Sequence, residues 1–373
     1  MDALTTPSNW QRVRLGDIGK PCMCKRVMKH QTTRYGEIPF YKIGTFGNTA
    51  DAFISKKLFL EYKTKYSFPK KGDILISASG TIGRAVIYDG KPAYFQDSNI
   101  VWIDNDETLV KNDFLFYAYS NVKWNTEHTT ILRLYNDNFR NTLIPLPPLD
   151  EQIAIANVLS GLDHYLCSLD ALILKKESVK KALSFELLSQ RKRLRGFNQA
   201  WQRVRLGDIA NYLTSNLSAK QITQQGKIKV YDVNNFIGYT DTTFISDKPY
   251  ISIVKDGSVG RVRILPPKTN ILSTMGALVA NHKTTTEFLF YLLSNFDFKN
   301  FTSGSIIPHI YFKDYKEKTI FLPPLNEQAT IANVLSGLDS EIANLKNKKR
   351  QFENIKKALN HDLMSAKIRV LNK

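Results

Sequence analysis

The sequence predicts a mixed α/β (α+β) fold: two similar globular domains joined by two long antiparallel helices, an intramolecular coiled coil with a pseudo-two-fold axis. Three internal echoes predict it. Residues 10–18, WQRVRLGDI, return unchanged at 201–209. LPPLDEQIAIANVLSGLD at 146–163 returns at 322–339 as LPPLNEQATIANVLSGLD, identical at 15 of 18 positions. Lys180-Lys181-Ala182-Leu183 is echoed by Lys356-Lys357-Ala358-Leu359 at the same offset of 176, whereas the first echo is offset by 191. The order is therefore variable block, shared block, variable block, shared block, divided at 1–145, 146–197, 198–321 and 322–373.

Each element follows from local pattern. In the first variable block, Gly72-Asp73 opens the strand Ile74-Leu75-Ile76-Ser77. A glycine-rich turn, Gly80-Thr81-Ile82-Gly83, and a second strand, Arg84 to Tyr88, follow before Asp89-Gly90 closes the hairpin. Phe114-Leu115-Phe116-Tyr117 reads as a packed helix whose aromatic stripe is core. In the shared block, Pro147-Pro148 stops the preceding strand and Asp150 is placed as a helix N-cap. Apolar residues then recur at spacings of three and four: Ile155, Leu159, Leu162, Leu166, Leu169 and Ile173. Gly196 is placed as the stop, so about 45 residues would span about 65–70 Å at ~1.5 Å per residue.

The second half repeats these signals. Ile253 leads into Gly257-Ser258-Val259-Gly260-Arg261-Val262, and Phe288-Leu289-Phe290-Tyr291 matches the aromatic helix. After Pro323-Pro324 and Asn326 the stripe is Ile331, Leu335, Leu338, Ile342 and Leu345, resuming at Phe352, Ile355, Leu359 and Leu363. Lys176 stands where the other copy has Phe352, and Lys349 where it has Ile173. Neither helix would therefore pair tidily with itself, and the two pair with each other. Ser160-Gly161 and Ser336-Gly337 interrupt both helices at equivalent places. They read either as a local break or as a site of close approach by backbone or partner.

Charge points to the partner. Lys and Arg number 52 against 34 Asp and Glu, a net charge of +18 and a pI near 9.6, which favours a polyanion, nucleic acid before membrane. No apolar run reaches the ~20 residues of a membrane span, and the N-terminal segment lacks the apolar core of a signal peptide. Cys22, Cys24 and Cys167 have no zinc-site spacing and read as free thiols of a reducing cytoplasm.

The two turns ending Gly83-Arg84 and Gly260-Arg261 are candidate phosphate contacts, through Ser79, Thr81 and Arg84 and through Ser258 and Arg261. The alternative is a hairpin turn that needs its glycines for positive φ. Basic and amide-rich loops add Lys25, Arg26, Lys29, His30 and Arg34, then Lys220, Gln221, Asn234 and Asn235. Catalytic signatures are missing. Gly90-Lys91 runs into Pro92 rather than forming a nucleotide loop, no methyl-donor loop opens a βαβ unit, and six scattered histidines offer no metal spacing. Cofactors are therefore expected to be none. The Leu-Pro-Pro-Leu pairs lack the polar residue that amino-methyltransferases set beside their Pro-Pro.

The twin Leu-Pro-Pro-Leu-[Asp/Asn]-Glu-Gln helices, the Trp10 and Trp201 segments and GDILISASGTIGR at 72–84 together resemble the specificity subunit of type I restriction–modification systems. The resemblance covers essentially the whole chain. It implies two target recognition domains, each reading one half of a bipartite double-stranded DNA target. It also implies two methyltransferase (modification) subunits docked on the helices and restriction/translocase subunits in the full complex, with methyl donor and ATP belonging to those partners. Leu159, Leu162, Leu166, Leu169, Leu335, Leu338, Ile342 and Leu345 would then form the helix and partner interface. The second domain has Ile253-Val254-Lys255-Asp256 where the first has Ile76-Ser77-Ala78-Ser79, so no contact transfers residue for residue between them. Two other classes compete. A stand-alone modification enzyme would need the missing donor loop, and a sequence-blind architectural DNA binder would not need two divergent domains.

Overall fold

The computed structural model describes residues 9–128 and 132–371; the stretch 1–8 that begins the segment tested for a signal peptide lies outside the described residues. The chain divides into two compact units, 1–169 with 348–373, and 170–347.

In the first unit, a four-stranded antiparallel sheet runs in the order Gly19–Met23, Ile100–Asn105, Ile74–Ser77, Ala85–Ile87. Every residue of Ile74–Ser77 is buried, because side chains alternating across the strand meet two different layers. Ile74 and Ile76 join Val101, Ile103 and Phe114 of helix α1 (Asn112–Tyr119). Leu75 joins Trp102, Phe40 and Tyr94 on the opposite side. That second layer is a three-stranded sheet, Phe53–Ile54, Ile38–Tyr41 and Tyr94–Phe95, whose last pair is parallel. Gln11–Arg14 pairs antiparallel with Leu143–Leu146, so the first echo and the start of the second are two sides of one ribbon.

The second unit is built the same way. Its four-stranded sheet runs Ala210–Thr214, Met275–Ala280, Tyr250–Val254, Val262–Leu265, and its three-stranded sheet Phe236–Thr240, Ile228–Tyr231, Asn270–Ile271. Gln202–Arg205 pairs with Thr319–Leu322.

Both shared blocks are helices of 40 residues, α2 at Leu149–Leu188 and, after α3 (Thr286–Ser294), α4 at Leu325–Met364. They begin one residue before Asp150 and Asn326, whose side chains accept from the next residue's N–H inside the first turn (3.0 and 2.9 Å) rather than acting as N-caps. α2 also ends at Leu188, eight residues before Gly196, the expected stop. Gln190 takes a left-handed φ of +61°, as Ala366 does (+55°) at the matching place after α4, and the chain leaves the helix there. Gly196, φ +89°, therefore lies in the connecting segment.

Within the first unit, 149–169 and 348–364 run antiparallel, Glu151 meeting Arg369 and Tyr165 meeting Phe352 with ring centroids 4.7 Å apart. Within the second, Lys176 meets Glu341 and Arg193 meets Glu327 in the same sense. The expected seam needs two corrections. Ile155 with Leu159, and Ile331 with Leu335, are buried in the cores of the globular domains. Ile355 is half exposed (50 %), because Lys356 takes the inward position to reach Asp163. Leu169, Ile173 and Ile342 are buried, while Leu162, Leu166, Leu338 and Leu345 are half-buried. Both helices run unbroken through Gly161 and Gly337, and among the described residues a Cβ at either would meet nothing within 4 Å. A local break and a close approach by the chain's own backbone are thereby both removed.

Candidate nucleic-acid interface

The shared residues first explain how each domain is held to its helices. The Glu151 carboxylate is buried (1 % exposed) and accepts from the Trp10 indole N–H at 3.0 Å and from Arg369 Nη2 at 2.7 Å. Glu327 (0 % exposed) repeats this with Trp201 at 3.0 Å and Arg193 Nη2 at 2.6 Å. A buried carboxylate is tolerated because an arginine neutralises it and an indole fills another lone pair. Beside it, Gln152 Nε2 donates to the Leu109 and Pro147 carbonyls while its Oε1 accepts from Lys111 N–H; Gln328 does the same with Lys283, Pro323 and Thr285. Farther along, Tyr117 and Tyr291 donate to Asp163 and Asp339 at 2.8 Å, and each aspartate also holds Lys356 or Lys180. Burial and the aspartate together push both phenols up from the ordinary tyrosine range.

The glycine turns are hairpin corners that require glycine. Gly83 (φ +83°) and Gly260 (φ +79°) are left-handed, and a Cβ would lie 2.1 Å from Trp124 Nε1 or 2.6 Å from Phe298 Cδ2. The amides of Gly83 and Gly260 bond across the hairpin to Ser77 and Val254 carbonyls at 2.9 Å, so they are committed within the protein. Ser79 is buried (6 %) and donates to Asn99 at 2.8 Å, so its hydroxyl faces inward rather than toward a ligand. Thr81 and Ser258 are exposed. Arg84, although exposed, reaches back to Gly47 O and Asn48 Oδ1 at 3.4 and 3.5 Å. In the second domain that tether moves to Arg263, which donates to Asn234 O at 2.9 Å and lies over the Tyr231 ring, and Arg261 remains an exposed side chain.

The other candidates gather on exposed loops. Arg26 pairs with Asp97 at 2.7 Å, and Lys25 Nζ lies over Tyr66. Lys29, His30 and Arg34 are exposed, as are Lys220, Gln221, Asn234 and Asn235. Gln221 Oε1 caps its own turn by accepting from Ser218 N–H at 2.9 Å, and Asn234 and Asn235 lend their N–H groups to Asp232.

One correspondence escaped the sequence reading. Gln31-x-Thr33-x-x-Gly36-x-Ile38-x-x-Tyr41 matches Gln221-x-Thr223-x-x-Gly226-x-Ile228-x-x-Tyr231, a sparse echo at an offset of 190. Both segments fold alike. Gln31 Oε1 accepts from Met28 N–H at 2.8 Å as Gln221 does from Ser218. Thr33 and Thr223 each exchange backbone hydrogen bonds with a neighbouring strand residue, Phe53 or Tyr239, and each hydroxyl donates to the carbonyl two residues on at 2.7 Å. At Gly36 and Gly226 a Cβ would lie 2.8 Å from the Cβ of that strand residue. On this common frame the outermost positions differ: Arg34-Tyr35 in the first domain, with Tyr35 86 % exposed, and Gln224-Gln225 in the second, both exposed.

Among the described residues no helix is long and apolar enough to cross a membrane. The three cysteines are unpaired; burial pushes the Cys24 thiol up to about 12, and Cys167 is exposed.

Comparison with known proteins places this architecture. The model of the type I restriction modification DNA specificity domain matches twice, at residues 7–176 and 198–354. A type I restriction enzyme specificity subunit of Methanocaldococcus jannaschii, MjaVIII, is 26% identical over 100% of this chain and 96% of its own length. A putative second one from that organism, MjaX, is 29% identical over 98% of this chain and 95% of its own. A putative specificity subunit of Haemophilus influenzae is 63% identical, over only 39% of this chain and 38% of that protein. In fold, the S subunit of a type I restriction–modification system from M. genitalium superposes with a TM-score of 0.63 at 19% identity, covering 98% of this chain and 99% of that one. With the family model matched in both halves, the chain belongs to the type I restriction modification DNA specificity family.

Proposed function

We propose that this chain is the sequence-specific DNA-binding, non-catalytic specificity subunit of a type I restriction–modification complex. In this reading 1–145 and 198–321 are recognition domains that each read one half of a bipartite double-stranded target. The shared segments 146–197 and 322–373 fix the gap between the halves and dock two methyltransferase subunits, which a restriction/translocase subunit joins in the full complex. The observation that carries the reading is the pair of loops just described, alike in frame and different at the tip. Arginine makes a bidentate pair with guanine O6 and N7, and glutamine with adenine N6 and N7, in the major groove. Arg34 and Gln224 are therefore the side chains assigned to base reading. Lys25, Lys29 and Lys220 supply phosphate contacts that set register without carrying sequence. Gly161 and Gly337, open on exposed helix faces in both copies, suit docking of two identical subunits.

The full chain should select from a random DNA library a sequence of two defined segments separated by an undefined gap. Selection of a single continuous segment, or of none, would overturn the reading. Incubated with DNA and labelled methyl donor but no partner, it should transfer no methyl group. Deleting one heptad from each helix (Leu166–Leu172 with Ile342–Lys348) removes ~10 Å of helix. The gap should shorten by about three base pairs or activity be lost, whereas an active protein with an unaltered gap would show that the helices do not set it.

A further inference from the structure

The third echo, Lys-Lys-Ala-Leu, has so far no role beyond its first lysine, and its second lysine lies at the edge of a cleft that both units repeat. In the first unit a cleft of about 500 Å³ lies between the C-terminal end of α1 and helix α4, with Tyr117, Ser120, Lys356 and Lys357 on its walls and Gly83 of the glycine turn at its edge. In the second, a cleft of about 420 Å³ is lined by Tyr291, Ser294, Lys180 and Lys181 at the matching positions.

Charge is accounted for the same way in both. Lys356 and Lys180 are neutralised by Asp163 and Asp339 and lie 5.6 and 5.8 Å from the centroids of Tyr117 and Tyr291. The cleft glutamates are also paired, Glu353 with Lys349 at 3.5 Å and Glu177 with Lys346 at 2.6 Å. Lys357 and Lys181 are exposed and, among the described residues, have no hydrogen bond or ion pair. Each cleft is thus left with one unmatched ammonium on a flexible stem, the neighbouring Ser120 and Ser294 hydroxyls being committed to the Tyr117 and Phe290 carbonyls at 2.7 Å.

From this we propose that Lys357 and Lys181 are twin, sequence-independent contacts to DNA phosphodiesters, carried by the shared helices rather than by the variable domains. A site kept alike beside two divergent readers fits a ligand that is the same at both, and the phosphate backbone is the part of DNA that does not change with sequence. In the first unit the cleft also adjoins the turn that presents Thr81. The proposal rests on the DNA-binding reading above and deepens it by separating affinity from base choice.

The test uses the full chain and defined duplexes, one matching the selected target and one unrelated, titrated across a range of salt. Lys181→Gln and Lys357→Gln should each lower the slope of log K against log salt by ~0.9 and weaken binding about five-fold at 0.15 M salt, equally on both duplexes. Lys→Arg at either site should keep the wild-type slope, and thermal unfolding should match wild type, since both side chains are exposed. An unchanged slope on a wild-type chain that binds DNA would overturn the proposal while leaving the DNA reading intact. So would a loss confined to the target duplex, or loss of methyltransferase assembly with DNA binding unaltered, which would make the cleft a protein-docking site. Failure of the wild-type chain to bind any duplex at low salt would instead remove the DNA reading itself, and the proposal with it.

Discussion

The segment from Met28 to Tyr41 and the segment from Ser218 to Tyr231 use the same glutamine cap, the same threonine bridge and the same crowded glycine. One then presents Arg34 and Tyr35 where the other presents Gln224 and Gln225. The comparison teaches how a duplicated fold diversifies. The glutamine, threonine and glycine that hold the backbone are kept, whereas the exposed tip, Arg34-Tyr35 against Gln224-Gln225, differs at both positions. At the helix ends the balance is reversed. Trp10–Glu151–Arg369 and Trp201–Glu327–Arg193 agree in every member, because a buried carboxylate leaves no freedom to vary.

That contrast can be broken most forcefully at the buried carboxylates. Glu151→Ala and Glu327→Ala each leave an arginine without its counter-charge and an indole N–H without an acceptor, at a cost of ~3 kcal/mol or more. Urea unfolding of the two variants should show losses of similar size; a large loss in one and none in the other would mean that the two anchors are not equivalent.

A smaller effect is expected at the turns. Gly83→Ala and Gly260→Ala force an L side chain into left-handed backbone against Trp124 or Phe298, costing about 2 kcal/mol. The shift in denaturation midpoint measures it, and a wild-type midpoint for both would contradict the packing described for these hairpins.

The smallest change should touch binding and not stability. Arg34→Ala is expected to weaken binding to the selected target by about 1–2 kcal/mol and to relax one base pair in one half-site. Gln224→Ala should do the same in the other half-site. Binding arrays that vary one base at a time would sharpen the comparison, and relaxation of both half-sites by one substitution would break it.

Much of this frame was legible before the structure. The helices, the strand–turn–strand at 74–87 and the aromatic helix followed from periodicity and glycine placement, because regular elements are governed by near neighbours. The paired use of Trp10 with Glu151 was not, since 141 residues separate them and a tryptophan carries no mark of its hydrogen-bond acceptor. The seam departs from the periodicity at Ile355 for a similar reason: the partner of Lys356, Asp163, lies far off in sequence. At the candidate interface, Arg34 and Lys220 were found as charges on loops. Ser79 reads from the sequence as a contact although it is buried, because a serine in a turn shows nothing of which way its hydroxyl points. The matching loop frame was hidden because only five of its positions agree, too sparse an echo to stand out beside a nine-residue identity.

The central claim, two independent readers on one shared frame, is tested most directly by block exchange. Residues 19–145 are replaced with the first variable block of another family member, the chimera is assembled with its methyltransferase subunits, and methylated bases are mapped across DNA. The account predicts a new sequence in one half of the methylated target, with the other half and the gap unchanged. A change in both halves, from an assembled and active complex, would contradict it.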